Sequence, residues 1–359
     1  MHDPNNHFSP TWTKYICTIG PSSATPEIME ELIKSGATML RNNFAHAQYD
    51  EYRLRKATLD ELNKKLGTNV HMQADLQGRN IRLGTFDNEK GGLEIIAGEE
   101  YIFYTVAGKP EGDNEIQIND ETLHLDVKAG EPISFADGAI EGEILEVMGH
   151  RLRVRMINGG FMKSRKSINV PDTKLTGSSI TDKDKRDLEF LMEAGVDWVA
   201  LSFISTAAEI REVREMIGDR PIRLISKIER REAIKNLTEI IEESDAVMIA
   251  RGDLGIELPM EEIPILQKII IDLCEYNEKP VITATQMLLS MAKSLRPTRA
   301  EVSDVANAVF ARSDALMLSE ETADGVNPGN ALRTMVKITS RIEDYLYNRK
   351  NYFSRDEVK

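Results

Sequence analysis

Eight short apolar runs recur along the chain: Tyr15–Gly20, Thr38–Phe44, Val70–Asp75, Trp198–Phe203, Ile222–Glu229, Ala246–Arg251, Pro280–Thr285 and Ala315–Glu320. They are rich in Val, Ile, Ala and Met and do not alternate strictly with polar residues, the pattern of parallel strands buried on both faces. Helical spacing fills the segments between them. "TPEIMEELIKSG" offers Thr25 as N-cap, Pro26 in the first turn and Gly36 as a stop. The same 3.6-residue apolar rhythm runs from Met260 to Asn277 and from Pro297 to Ala311. Eight strand–helix units predict an α/β fold, a (β/α)8 TIM barrel.

The alternation breaks once, where about 120 residues separate Asp75 from Trp198. From about Arg79 to Gly177, turns such as "AGKPEGDNE" and "FADGAIEG" divide short alternating stretches such as "RLRVRM", which reads as a small all-β domain inserted after strand three. A helix then reopens with Thr181 three residues before Asp184, a capping-box start. The expected organisation is a catalytic barrel over 1–78 and 178–345, an inserted β lid over 79–177 and a C-terminal tail over 346–359.

Charge narrows the partners. Forty-five basic against fifty-nine acidic side chains give a net charge of −14, which opposes broad attraction to nucleic acid or anionic lipid. The two cysteines, Cys17 and Cys274, lie far apart in apolar runs, so neither a disulfide framework nor a cysteine-spaced zinc site is expected. The N-terminus lacks a basic region followed by an apolar one, and no 18-residue apolar span occurs, so a cytoplasmic location is expected.

Polar groups close most of the proposed strands: Arg41, Asn43 and His46 after strand two, Asp75 after three, Lys227 and Glu229 on five, Arg251 and Asp253 after six, Thr283, Thr285 and Gln286 on seven, Ser319 and Glu321 after eight. In a barrel these ends converge on one mouth, where active sites lie. Lys227 and Glu229 share one side of a strand. Glu229 with Asp253 makes a two-carboxylate site for a hard divalent cation such as Mg²⁺, the lysine then facing negative charge on a substrate. A structural lysine–carboxylate pair fits the spacing equally well. Gly252 and Gly255 either let backbone amides approach an anion or form an αL turn. Thr285 and Ser319 could relay a proton or bond local carbonyls. His46, near Arg41, could contact a nucleotide or cap a turn.

The ordered set "TKYICTIGPSS", "GATMLRNNFAHA", "ISKIERREAIKN", "IIEESDAVMIARGDLGIELP", "KPVITATQMLLSM" and "RPTRAEVSDVANAVFARSDALMLSEETADG" resembles the pyruvate kinase family across almost the whole chain. The resemblance implies phosphoryl transfer from phosphoenolpyruvate to ADP, giving pyruvate and ATP. It implies Mg²⁺ or Mn²⁺ on Glu229 and Asp253, with Lys227 stabilising the phosphoryl group and Gly252, Asp253 and Thr285 holding the substrate carboxylate. Thr285 and Ser319 would protonate the enolate. Arg41 would handle phosphoryl charge, Asn43, His46 and Arg82 the nucleotide, and Asn43 with Asp75 a K⁺ ion. The lid would exclude water, and barrel-to-barrel homodimers are implied.

Three departures from the family pattern fall on the K⁺ and nucleotide side. Ala45 stands in "RNNFAHA" where a serine is usual. "DLQGRNIRLG" replaces "DTKGPEIRTG", placing Gln77, Arg79 and Asn80 where Lys, Pro and Glu are usual, and "LSEET" adds Glu320. They leave K⁺ dependence open and suggest that the fixed Arg79 charge replaces bound K⁺. They also keep an alternative alive, the same metal and enolate site serving another phosphoryl acceptor or another reaction on a 2-keto acid. A metabolite-binding protein without turnover is the non-enzymatic reading, against which the retained charged set argues. After the last barrel helix only "DYLYNRKNYFSRDEVK" remains, so effector control through the family's C-terminal domain is not expected.

Overall fold

The computed structural model describes residues 11–45, 48–86, 88, 90–106, 108 and 115–347. Eight parallel strands, β1 (Lys14–Thr18), β2 (Met39–Asn43), β3 (His71–Asp75), β4 (Trp198–Leu201), β5 (Arg223–Ile228), β6 (Ala246–Ala250), β7 (Val281–Ala284) and β8 (Ala315–Leu318), close into a barrel in sequence order. Cys17 of β1 sits beside Leu318 on one neighbour and Leu40 on the other, which joins the first and last strands. Ile16, Ala200, Ile225, Met248, Ile282 and Met317 cluster as one core, while the opposite strand faces meet the helices in a larger one. Burial on both faces is why the strands lack alternation.

The helices begin where capping chemistry favours them. Thr25 accepts the Ile28 N–H at the start of Pro26–Lys34, and reciprocal capping boxes open Asp182–Ala194 (Thr181 with Asp184) and Arg299–Phe310 (Thr298 with Glu301). Every strand but β3 stops one or two residues before its apolar run does, and at three of these ends the structure shows a cause. β4 stops at Leu201 and β7 at Ala284, because Phe203, Thr285 and Gln286 take positive φ (59°, 66° and 55°). β6 stops at Ala250: Arg251 is the first residue of the helix Arg251–Glu257, its guanidinium reaching back to the carbonyls of Ala284 and Thr285 and to Asp304. Among the described residues, no helix is long and apolar enough to cross a membrane.

Between β3 and β4 the chain forms a six-stranded sheet and a two-stranded ribbon around a separate core, in which Phe103 stacks on Phe135 at 4.8 Å. A short helix, Leu123–Asp126, interrupts the β structure. Gly78 begins the outward crossing. Its φ is +67°, and an added Cβ would lie 2.6 Å from the Ser202 carbonyl oxygen, so only glycine fits. Arg79 then ties the two crossings together. Its Nε donates to Asp120 Oδ2 at 2.8 Å and its Nη1 to the Thr176 carbonyl at 2.6 Å, while Nη2 reaches Asp126 at 3.4 Å. Two carboxylates already compensate this guanidinium, which removes the physical basis for Arg79 as a substitute for K⁺.

Candidate active site at the barrel mouth

A chain of buried charges runs across β2, β3 and β5. Arg41 donates through Nε and Nη2 to Asp75 Oδ2 (2.9 and 2.8 Å) and through Nη1 to Thr18 Oγ1. Gln73 donates to Asp75 Oδ1 at 2.6 Å, so protein donors take both oxygens of this carboxylate. Lys227 Nζ lies 3.7 Å from Asp75 Oδ2, donates to Ser202 Oγ at 2.9 Å and lies 2.7 Å from Glu229 Oε1. The other Glu229 oxygen accepts the Phe203 N–H at 2.7 Å, a contact that the positive φ of Phe203 accompanies.

The electrostatics follow from burial and neighbours. Burial opposes ionisation of Asp75, but Arg41 and Lys227 outweigh it and hold its carboxyl below the usual range. Burial likewise opposes charge on Lys227, yet Glu229, Asp75 and Asp253 raise its pKa and keep it an ammonium. Glu229 is pushed up to about 7, first by burial and then by Asp253, with Lys227 pulling the other way. These carboxyls answer differently because Asp75 faces two cations, whereas Glu229 faces one cation and one anion.

This is where a divalent cation fits. Glu229 Oε1, although close to Lys227, is buried without an aligned hydrogen-bond donor. Asp253, on the first turn of Arg251–Glu257, raises the Glu229 pKa by its charge. Among the described residues, no group of three or more His, Cys, Asp or Glu side chains is poised for a metal. A pair of carboxylates with room for water and substrate oxygens suits Mg²⁺ or Mn²⁺.

The remaining candidates divide. Thr285 Oγ1 accepts the Gly252 N–H at 2.8 Å and donates to the Ala284 carbonyl at 2.7 Å. Neither Gly252 nor Gly255 has positive φ, so the αL-turn alternative falls away; both lie within the helix. The Ser319 N–H donates to Glu321 Oε2, whose partner oxygen accepts from Leu288, linking the mouth ends of β7 and β8. Glu320 is exposed. Asn43 Oδ1 accepts the Ala45 N–H. Arg82 donates to the Arg165 carbonyl and lines, with Asp253 and Arg230, a narrow cleft between the insert and the mouth. His46 lies outside the described residues. Sequence reasoning missed Ser202, Gln73 and the Phe203 amide, which hold Lys227, Asp75 and Glu229.

The closed barrel and the inserted β structure define a TIM-barrel protein, with a buried ammonium beside two carboxylates at its strand ends. The chain belongs to the pyruvate kinase family: the profile described as pyruvate kinase, barrel domain, matches residues 11–332. It is 40% identical over 352 residues to pyruvate kinase of Bacillus licheniformis, covering 96% of this chain and 59% of that one. To pyruvate kinase 2 of Synechocystis it is 43% identical over 340 residues, covering 93% and 57%. A crystal structure of a pyruvate kinase from Cryptosporidium parvum superposes with a TM-score of 0.87 at 35% identity, covering 96% of this chain and 71% of that one. The chain thus spans a little under six tenths of the two curated relatives' length.

Proposed function

We propose that this chain transfers a phosphoryl group between phosphoenolpyruvate and ADP with Mg²⁺ or Mn²⁺ as cofactor. The buried Lys227–Glu229 pair beside Asp253 carries the reading: it places a permanent ammonium against a carboxylate oxygen that it meets as an ion pair without hydrogen-bond alignment. Glu229 and Asp253 would hold the divalent ion, which when bound neutralises phosphoryl charge. Phosphoryl transfer needs positioning and charge neutralisation more than covalent chemistry. Lys227, fixed by Ser202, supplies positive charge to the group in transit, with Arg41 behind it through Asp75.

The Asp253 N–H, in the first helical turn, has no intrahelical acceptor and is suited to a substrate carboxylate beside Thr285 and Gly252. The Thr285 hydroxyl, turned from Ala284, or the Ser319 hydroxyl would deliver the proton to the enolate carbon. Arg82 and Asn43 would meet the nucleotide, and the insert would exclude water. A coupled assay of pyruvate release at millimolar phosphoenolpyruvate and ADP tests this, with and without K⁺, because Asp75, one of two K⁺ candidates, already has both oxygens engaged. ADP-dependent release is expected; none under either condition overturns the proposal.

One observation favours a second reading, with a different acceptor: Arg79 and Asn80 line the cleft beside Arg82, where the family pattern has Pro and Glu. Proton exchange of pyruvate without nucleotide turnover would select it.

A further inference from the structure

Arg231, two residues after Glu229, touches both the insert and the helix that carries Asp253. Its Nη1 donates to Asp172 Oδ1 at 2.6 Å on the return crossing, while Nε and Nη2 both donate to the Glu257 carbonyl, at 3.2 and 3.0 Å. Glu257 is the last residue of the helix Arg251–Glu257, whose first turn holds Asp253. A guanidinium therefore grips each end of that helix. Arg251 fixes its start to the carbonyls of Ala284 and Thr285 and to Asp304, all barrel groups. Arg231 fixes its end, and this second grip is shared with the insert.

The insert also meets the same helix directly. Asn169, on the edge strand Ile168–Asn169 of the six-stranded sheet, donates to Glu257 Oε1 at 3.4 Å, and the Arg231 N–H reaches Oε2 at 3.5 Å. Glu257 is only 4% exposed, so its carboxylate depends on such partners. The turn at 136–138 takes three consecutive positive φ values (54°, 59° and 82°), and a Cβ on Gly138 would stand 3.6 Å from Ile256 Cγ2, which places the turn against the helix. Lys174 and Glu232 add a looser tie, 3.5 Å across with the lysine largely in water.

We propose that Arg231 is a positioning residue that couples the seating of the insert to the placing of the Asp253 carboxylate. The inference deepens the reading of Glu229 and Asp253 as the divalent-cation site, and rests on it. With the insert seated, Asp172 fixes the guanidinium and the guanidinium fixes the Glu257 carbonyl. Asp253 and Glu257 are four residues apart on one helix, one above the other, so a displacement at Glu257 reaches Asp253 within a single turn. With the insert withdrawn, Asp172 and Asn169 leave together, and the helix keeps only its grip at the start. Such coupling is reciprocal: the factor by which the seated insert raises cation affinity is the factor by which the cation holds the insert. The Arg231 and Asp172 side chains are 37% and 47% exposed, which sets that factor at about two- to fivefold.

The test is Mn²⁺ titration of the full chain read by electron paramagnetic resonance, without phosphoenolpyruvate or nucleotide, counting the binding that Glu229→Gln abolishes. Asp172→Asn and Arg231→Ala should each weaken it about two- to fivefold. Combined, they should do no more than Arg231→Ala alone, because both break one link. Arg231→Lys keeps a charge facing Asp172 but has no second arm for the Glu257 carbonyl, so it should bind Mn²⁺ no better than Arg231→Ala. Full rescue by lysine would reduce the residue to a surface charge and overturn the proposal. In the reciprocal direction, Mn²⁺ should slow backbone hydrogen exchange across 168–176 in the wild type and protect it less in Asp172→Asn, an exposed change that leaves the core intact. Wild-type affinity and protection in Asp172→Asn and Arg231→Ala overturn the coupling and leave the cation site standing. Absence of Mn²⁺ binding to the wild type overturns the site itself, and the coupling with it.

Discussion

Lys227 Nζ and Glu229 Oε1 stand 2.7 Å apart in a buried pair that lacks hydrogen-bond alignment, so a divalent cation held by Glu229, as proposed, would compete with the ammonium for one carboxylate oxygen. Lys227→Met keeps the side-chain length and removes the charge. Phosphoryl transfer should fall by about 10²–10³ in kcat, the scale of losing one preorganised charge at the reacting group. Mn²⁺ affinity, read by electron paramagnetic resonance, should hold or tighten, because the carboxylate loses its competitor. A variant within tenfold of wild-type kcat would remove Lys227 from the chemistry.

Arg79 joins the outward crossing, the return crossing at Thr176 and two acids of the insert. Arg79→Ala would leave Asp120 and the fully buried Asp126 side chain without their cation. The expected cost is about 1–3 kcal/mol in thermal or urea unfolding, with faster proteolysis near Gly78 and Gly177. Unchanged stability and cleavage would show that the hinge is held elsewhere.

Much of this architecture is legible in the chain, and the exceptions have physical causes. Eight strands follow from runs buried on both faces, and Lys227 and Glu229 face one way because strand period is two. The ends of β4, β6 and β7 are less legible. Positive φ at Phe203, Thr285 and Gln286 is imposed by the mouth rather than by residue preference, and Arg251 enters a helix through contacts to β7. Ser202 as a partner of Lys227 depends on the pairing of Leu201 with Ser226, a register that no local pattern encodes. Arg79 reads as a mouth cation from sequence, but the acids that claim it, Asp120 and Asp126, lie some forty residues away.

The hinge pair also sets an acid limit. Burial alone would raise the Asp120 pKa, but Arg79 and the N–H groups of Thr122 and Leu123 hold it below its ordinary 3.8. A carboxyl depressed on folding contributes stability that is fully present above the unfolded value and lost as pH falls through the folded one. The stability gap between wild type and Arg79→Ala should therefore be constant from pH 7 to 5 and shrink below about 3.8. Urea midpoints measured down to pH 3 check this; a gap that persists unchanged would assign it to packing rather than charge.

Thr285 is β-branched yet sits at φ +66°, a strained conformation worth about 1–3 kcal/mol that persists where surroundings impose it. Its hydroxyl bridges the Gly252 N–H and the Ala284 carbonyl. Thr285→Ser keeps both bonds and should retain activity within about threefold, with Tm at or above wild type. Thr285→Ala should lose about 10²-fold in kcat, the low end for a positioned proton donor. Equal activity in the two variants would make the hydroxyl a structural bridge only.

Gly252 separates a backbone requirement from a space requirement. Its φ is not positive, and an added Cβ would meet Thr285 at 3.6 Å, an ordinary contact, so the fold has no need of glycine there. Alanine also suits a helical turn better by up to about 1 kcal/mol. Gly252→Ala should therefore match or exceed wild-type stability while its methyl stands over the Thr285 hydroxyl, where the substrate carboxylate is proposed to dock. The expected result is a KM for phosphoenolpyruvate raised about tenfold with kcat changed less than threefold, the signature of lost ground-state binding. A lowered Tm would contradict the unstrained contact with Thr285, and an unchanged KM would place the carboxylate away from this amide.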